Sequence, residues 1–302
     1  MKKLYLLLCI CSLNSLGYAQ LPSEVKRALY ARHNMGCTLP GSIVFSTCEH
    51  LDTCILRVTY DVYFINDTLQ KDKPLNDIQV LEIGKHVSHC FSYLLYKNDS
   101  LLTALDKKGV TELPSLCKYV IPEEIFIFED KKQTQVLNRT PWLFPCYWYT
   151  ENSPVFEWKL LDGRKEVLGY NCQKATCRFR GREYMAWYAA DIPLRYGPYK
   201  FGGLPGLILE MSDTQNDYTW KCIAIKKGNN KWYVNRNKSS KRKNIEMTRE
   251  RTRKMVARYH QDPAGAQLLT GRIKGYVGSD NIYHTFVSGD FPPEPYNPIE
   301  KE

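Results

Sequence analysis

Basic and aromatic side chains cluster around a glycine- and proline-rich stretch in the second half of the chain. Arginine forms paired hydrogen bonds with anions and stacks on aromatic rings, and the backbone N–H groups of such a loop can converge on an anion. These residue types suit a site for an anionic or aromatic ligand, although cross-strand pairing and a loop that only covers a sheet are the favoured explanations. The predicted binding residues are Arg180, Arg182, Trp187, Asp191, Lys200, Gly203, Pro205 and Gly206.

The loop within Asp191–Met211 has a specified backbone path and leads into the apolar run Leu207–Leu209. Its glycines can adopt backbone angles that other residues avoid, and its prolines each fix their own φ. No Lys-Ser or Lys-Thr pair follows the glycines, and the next predicted element is a buried strand rather than a helix. The stretch is therefore not a nucleotide-binding phosphate loop.

Histidine and cysteine residues near position 90 suggest a metal site, but their spacing argues against one. His86 and His89 would face the same way only on a helix, and a strand is predicted here. Cysteines of exported proteins also form disulfides more often than metal sites. No metal site and no cofactor is predicted.

No nucleophile motif of a hydrolase occurs, since the chain has neither a Gly-x-Ser-x-Gly sequence nor a recognisable Cys-His-Asn frame. No catalytic residue is therefore predicted. The alternative is an exported hydrolase that uses a free cysteine or a pair of carboxylates near the Gly-Pro loop. The carboxylate pairs considered are Glu123 with Glu124 and Asp191 with Glu210.

Positive charge is concentrated in one segment. Residues Arg236–Arg258 contain ten basic and two acidic residues, whereas the rest of the chain is close to neutral. Such a segment predicts either an anionic partner, such as lipid head groups or an acidic protein, or a solvated helix with paired charges. The predicted patch comprises Arg249, Arg251, Arg253, Lys254 and Arg258. Nucleic acid is not an expected partner of an exported protein.

Residues 1–19 predict a cleaved signal peptide, with Lys2 and Lys3 before a short apolar core. Export to the periplasm, the outer membrane or the medium is therefore expected. Nine of the 11 cysteines follow this leader. Disulfides are expected, but an odd number leaves at least one thiol free or shared between chains. Cys172 and Cys177, five residues apart on one predicted strand, lie too far apart to bond each other, and Cys146 and Cys222 are the alternative partners.

The spacing of apolar residues predicts a mainly β protein in a single domain over residues 20–302. Successive strands with short turns predict an antiparallel meander that forms a curved sheet or a partly open barrel. Hairpins are expected around Glu129–Gln133, around Asp162 and Gly163, around Arg180–Arg182 and around Gly228–Asn230. The non-β elements expected are an N-terminal helix over Leu21–Met35, a short helix over Asp99–Lys107, a connector over Trp142–Tyr149, a basic helix over Ile245–His260 and an extended surface tail over 291–302.

The segment Phe201–Ile208 (FGGLPGLI) closely resembles the hexapeptide of the GLPGLI family of exported bacterial proteins. Ordered blocks on both sides resemble the same family, and the first half of the chain departs from it. These blocks are Leu168–Ala175, Phe179–Arg182, Ala186–Tyr188, Asp191–Pro193, Gly197–Phe201 and the ending Tyr296–Glu300. The resemblance implies an exported envelope protein of a Gram-negative cell, and the family has no assigned activity or catalytic residues.

Together these features predict an exported, non-enzymatic envelope protein. It would bind an apolar or amphipathic ligand in the concave face of its sheet, or a partner at its surface.

Overall fold

The computed structural model describes residues 41–109, 119–140, 145–229, 231–242, 244–270, 275–277, 283–285, 287–290 and 292–302. The strands are β1 (Thr47–Thr53), β2 (Leu56–Phe64), β3 (Leu75–Ile83), β4 (Val87–Ser92), β5 (Glu123–Phe128), β6 (Gln133–Asn138), β7 (Cys146–Asn152), β8 (Lys159–Val167), β9 (Tyr170–Phe179), β10 (Arg182–Ala189), β11 (Leu207–Asp213), β12 (Tyr218–Lys227), β13 (Tyr233–Lys238), β14 (Asn244–Glu246), β15 (Gly275–Val277) and β16 (Tyr283–Thr285). The helices are α1 (Tyr93–Lys107), α2 (Arg249–Gln261) and α3 (Pro263–Thr270).

Twelve strands form one sheet in the order β14-β7-β6-β5-β4-β3-β2-β12-β11-β10-β9-β8. All neighbours are antiparallel except β14 and β7, which are parallel. Within the described residues the order runs from one edge strand to the other, so the sheet is open and not closed into a barrel. Two further pairs are β1 with β13 and β15 with β16. The predicted mainly β, antiparallel fold is confirmed.

Buried side chains in register define an inner face of this sheet. Val58 lies opposite Leu81, Leu81 opposite Cys90, Cys90 opposite Ile125, and Ile125 opposite Val136. All belong to the main apolar core. Side chains alternate between the two faces of a strand, so burial of every second residue follows from the sequence period, as in β2. Every residue of β4 is buried, which requires cover on both faces.

The two halves of the chain meet in the middle of the sheet, where β2 pairs with β12. This pairing replaces the predicted hairpin around Gly228, because β12 lies between β11 and β2 while β13 pairs with β1. The prediction missed it because residues far apart in sequence make this contact, and local turn chemistry does not encode such contacts.

Helix α1 begins six residues earlier than predicted, directly after the strand that contains His89. Ser92 is its N-cap, and the side chain of Ser92 accepts a hydrogen bond from the backbone N–H of Leu95. The aromatic residues that follow Ser92 have strand propensity, but the cap and the packing of α1 on β3 and β4 outweigh it. Helix α2 is capped in the same way by Thr248.

Two other local predictions were wrong. The predicted connector over Trp142–Tyr149 contains the start of β7, which pairs with β6. The Asp162–Gly163 turn does not form, because β8 runs through it with an irregularity between Leu161 and Arg164. The chain turns instead at Leu168 and Gly169, which both have positive φ.

The predicted leader 1–19 and the predicted helix Leu21–Met35 lie outside the described residues. In the described part of the chain, no helix combines the length and the apolar character needed to cross a membrane. Residues 292–302 of the predicted tail contain no helix or strand, but Asn297, Ile299 and Glu300 are buried rather than lying on the surface.

Candidate functional site

The Gly-Pro loop joins β10 to β11 and packs its own side chains into the core. Phe201 and Leu204 are each 1% exposed and belong to the main apolar cluster. The backbone N–H of Tyr199 points at the sulfur of Cys90 on the inner face, at 3.3 Å. The loop therefore covers the inner face of the sheet with its own side chains.

Two glycines of the loop illustrate why its path is so specific. A Cβ on Gly206 would collide with the backbone carbonyl of Ala189 on the neighbouring strand. Gly203 has φ +90°, a conformation that L side chains rarely adopt, although the space around it is open. The predicted residues Gly203 and Gly206 thus serve the path of the backbone, and Pro205, which lies between them, is exposed.

Lys200 is the centre of a buried charge network at the end of this loop, and its side chain is fully buried. Its ammonium group donates to Glu151 and to Glu300 at 2.6 Å each, and to the hydroxyl of Tyr149 at 3.1 Å. Glu300 also accepts from the Tyr199 hydroxyl and from Arg249 of α2. The loop, β7, α2 and the tail therefore converge on one ion cluster.

Electrostatics keep the members of this cluster charged. Burial alone would lower the pKa of Lys200, but Tyr149, Glu300 and Glu151 outweigh it and the pKa is raised. Burial alone would also raise the pKa of Glu300, yet Lys200 and Arg249 bring it down to about 2. Lys200 and Glu300 therefore stay ion-paired over the whole physiological pH range.

Arg182 forms a second buried centre beside the first. One terminal nitrogen donates to Asp213 at 2.8 Å and to Asp217 at 3.1 Å. Its other nitrogens donate to the tail, at the side chain of Asn297 and at the carbonyl groups of Pro298 and Ile299. The predicted ligand-binding arginine is thus occupied by the chain's own tail.

A small pocket of about 30 Å³ lies next to the ion cluster, lined by Glu123 and Asn138, by Thr252 and Val256 of α2, and by the tail. Burial, with a smaller effect of Glu300, raises the pKa of Glu123 to about 7. The pocket has room for one or two water molecules. Glu123 and Glu300 are thus two neighbouring carboxyl groups with divergent pKa values, but three side chains already engage Glu300.

The remaining predicted residues do not share one site. Arg180 lies 3.3 Å from Glu151 and joins the ion cluster. Trp187 lies on the opposite face of β10 from Arg182, beneath the ammonium groups of Lys165 and Lys174. Asp191 is exposed at the start of the loop. Sequence proximity grouped these residues, whereas the period of the strand separates them.

The five cations of the predicted patch on α2 divide into two sets. Arg249 and Arg253 face the tail, where Arg249 pairs with Glu300 and Arg253 donates to the Glu300 carbonyl. Arg251, Lys254 and Arg258 are exposed. Spacings of three and four residues place these three on one side of the helix.

The described residues give little support for disulfide bonds or for a reactive thiol. Seven cysteines are described and all are free, so the expected disulfides, including those through Cys146 and Cys222, do not form there. Cys37 and Cys117 lie outside the described residues. Burial raises the pKa of Cys90 and of Cys222 to about 12, which makes both thiols unreactive.

No three His, Cys, Asp or Glu side chains of the described residues are grouped to hold a metal ion. His89 lies between the rings of Phe91 and Phe126, with Glu82 and Glu124 at 4.0 and 3.6 Å. It belongs to a buried charge network on the outer face of the sheet.

One comparison with known protein families matches the region of the loop. A family model described as "Protein of unknown function (Porph_ging)" matches residues 180–210, which contain Arg180, Arg182, Lys200 and the loop glycines. The match covers a small part of the chain and has a different name from GLPGLI, which therefore stays unconfirmed. No curated protein matches the chain significantly.

Two solved structures are similar to part of the chain. They are "Structure of PNGF-II in P21 space group", with a TM-score of 0.44, and "Structure of PNGF-II in C2 space group", with 0.43. Both are 16% identical in sequence to this chain. The matched region is 68% of this chain and 34% and 33%, respectively, of the two solved structures. The chain thus spans about a third of the length of those structures. A likeness at this level carries no argument about function.

The prediction from the sequence did not identify the partners of Arg182 and Lys200. Glu151 lies on β7, and Asn297 and Glu300 lie in the tail, about 100 residues from Lys200 and Arg182. The available signal was the ending Tyr296–Glu300, a block that resembles the same family as the loop.

Proposed function

We propose that the protein is an exported, non-enzymatic envelope protein that binds an anionic membrane surface through one side of α2. The observation that carries this proposal is the division of the α2 cations. Arg249 and Arg253 hold the tail, which leaves Arg251, Lys254 and Arg258 exposed on one side. Glu250 pairs with Lys254 and offsets one charge, so Arg251 and Arg258 are the main determinants.

The site at the loop supports a non-enzymatic protein for a steric and an electrostatic reason. The pocket at Glu123 has room for water but not for a substrate. The ionised carboxylate beside it, Glu300, is held by Lys200, Arg249 and Tyr199. Phe201 and Leu204 cover the inner face of the sheet, which likewise favours a surface partner over an apolar ligand.

The test is sedimentation of the protein with vesicles that contain anionic lipid, beside vesicles of neutral lipid. Each Lys or Arg near an anionic surface contributes about 1 kcal/mol, so the double variant Arg251→Glu/Arg258→Glu should lose at least about tenfold in binding. The matched control is Lys226→Glu/Lys227→Glu, which makes the same charge change on exposed residues of β12.

Binding of the wild type should also weaken as salt rises from about 50 to about 300 mM, because exposed charges are screened. Equal loss in the control variant, binding that resists salt, or no binding to anionic vesicles would each contradict the proposal.

A further inference from the structure

The tail lies in a groove whose chemistry is that of a peptide-binding site. We call it the tail groove and define it by the side chains that contact the tail: Arg182, Tyr184, Tyr199, Lys200, Tyr218 and Arg249. The occupant is the extended segment Asn297–Glu300, with the sequence Asn-Pro-Ile-Glu. The groove contacts this segment at an amide end, at an apolar middle and at an acidic end.

The amide end of the groove requires a side chain that both accepts and donates hydrogen bonds. The side-chain oxygen of Asn297 accepts from Arg182 at 2.6 Å, and its NH₂ group donates to the Ile65 carbonyl at 2.8 Å and to Asp217 at 3.1 Å. Both polar atoms of the amide therefore have partners. An aspartate would lack the donor, and an apolar residue would leave Arg182 short of an acceptor in a buried place.

The middle and the acidic end add an apolar and a charge requirement. Ile299 is 5% exposed within the main apolar core, while its carbonyl accepts from Arg182 and from the Tyr184 hydroxyl. The Glu300 carboxylate accepts from Lys200, Tyr199 and Arg249. A segment that satisfies the groove thus needs an amide, an apolar side chain two residues later and a carboxylate directly after it.

The two buried cations of the groove also keep ion-pair partners when the tail is absent. Arg182 keeps Asp213 and Asp217 as partners, and Lys200 keeps Glu151 and Tyr149. Departure of the tail therefore strands no unpaired buried cation at either centre, which would otherwise be the main cost of opening. Arg249 and Arg253 lose their contacts with Glu300 and leave an excess of positive charge at the acidic end.

We propose that the tail groove is a peptide-binding site that takes an extended Asn-Pro-Ile-Glu segment in trans as well as in cis. Its ligand is a short acidic peptide with this pattern, such as the tail of a second copy of the chain. The chain's own tail occupies the groove as a tethered competitor. The proposal is independent of membrane binding by α2, since it uses the side of α2 that faces the tail.

The experiment uses the full-length chain with a weakened tail, Asn297→Ala/Ile299→Ser/Glu300→Gln. A fluorescently labelled peptide of residues 295–302 is titrated against it, and binding is followed by anisotropy. The peptide should bind this variant at least about tenfold more tightly than it binds the wild type, because a tethered tail competes at an effective concentration on the order of millimolar. A control peptide with Ala for Asn297 and Gln for Glu300 should not bind.

A second variant tests the acidic end directly. Arg249→Met in the weakened-tail chain should reduce affinity for the peptide with Glu at position 300, and should have little effect on the affinity for a peptide with Gln there. An equal effect on both peptides would show that Arg249 does not read this carboxylate. A weakened-tail variant that is folded by circular dichroism and does not bind the peptide overturns the proposal.

Hydrogen exchange of the wild-type chain covers the case in which the weakened-tail variant fails to fold. The amide of Lys301 is bonded to the Arg180 carbonyl, so it reports opening of the tail. The Lys301 amide should exchange at least about 100-fold faster than the amides that form the hydrogen bonds between β10 and β11, as expected for local opening. Equal protection would mean that the tail opens only with the whole fold, and this too overturns the proposal.

Discussion

Lys200 shows how a single buried cation can organise a site. Lys200 is only 2% exposed to solvent. An isolated ammonium group in such surroundings would lose its proton rather than stay charged. Glu151 and Glu300 at 2.6 Å supply the charge, and the Tyr149 hydroxyl supplies another hydrogen-bond partner. These partners come from β7 and from the tail, so elements far apart in sequence supply the charge that surrounds one side chain.

Glu123 is expected to make stability fall as pH rises. Its pKa is raised from 4.5 to about 7 by burial, so the folded chain keeps a proton in this window that the unfolded chain has lost. The folded state then binds more protons, and the free energy of unfolding decreases with pH across the window, by at most about 3 kcal/mol. Glu123→Gln, which resembles the protonated form, should be more stable than the wild type near about pH 8.

The measurement is urea unfolding of both proteins near about pH 5 and about pH 8, and the loss of stability between the two should be smaller in the variant. Glu157→Gln is the matched control, since Glu157 is exposed. Its loss should equal that of the wild type. The same loss in Glu123→Gln as in the wild type would show that the carboxyl of Glu123 titrates normally.

At the scale of elements, the Gly-Pro loop is expected to tolerate change very unevenly. Gly206→Ala places a methyl group against the Ala189 carbonyl, so the backbones of β10 and the loop must separate, at a cost of about 2–3 kcal/mol or more. Gly203→Ala meets open space and only the strain of positive φ, about 1–2 kcal/mol.

Urea unfolding of the two variants tests this order. Since both change glycine to alanine in one loop, helix and strand propensities do not confound the comparison. A Gly203 variant that is less stable than the Gly206 variant would mean that the close approach of Gly206 to Ala189 is not the constraint.

The elements themselves divide into those that the sequence predicts and those it does not. Apolar alternation in the sequence matches the burial of β2 and β6, since a half-buried strand imposes that period. Turn chemistry was less reliable, because Asp162–Gly163 has the residues of a turn but lies inside β8, where pairing with β9 overrides local preference. Contacts between distant segments, such as β2 with β12, have no local signature.

The candidate site divides in the same way. Arg182 and Lys200 were predicted from residue type, since their position beside a specified loop is a local property. Their partners Glu151, Asn297 and Glu300 were not, because the contacts join segments about 50 to about 115 residues apart. The predicted ligand for these cations was external, and the structure places the chain's own tail there instead.

At the scale of the molecule, the sheet joins both halves of the chain into one core. β2 and β12 are paired at its centre, and the main apolar cluster includes residues from β2 to β11 and from the tail. No boundary within the described residues divides this cluster, so the single domain expected from the sequence should unfold as one cooperative unit.

Val136→Ala tests this expectation from one end of the sheet. Val136 on β6 is 1% exposed, and the substitution should cost about 1–3 kcal/mol. In a single cooperative unit, the urea midpoints from tryptophan fluorescence and from far-ultraviolet circular dichroism coincide, and the substitution shifts both together. The fluorescence comes from six tryptophans, among them Trp148 on β7 and Trp220 on β12. Val155→Ala, at a side chain that is 92% exposed, is the control and should shift neither midpoint. Midpoints that differ between the two signals, or a second transition, would mean that the chain does not unfold as one unit and that the pairing of β2 with β12 does not join the two halves energetically.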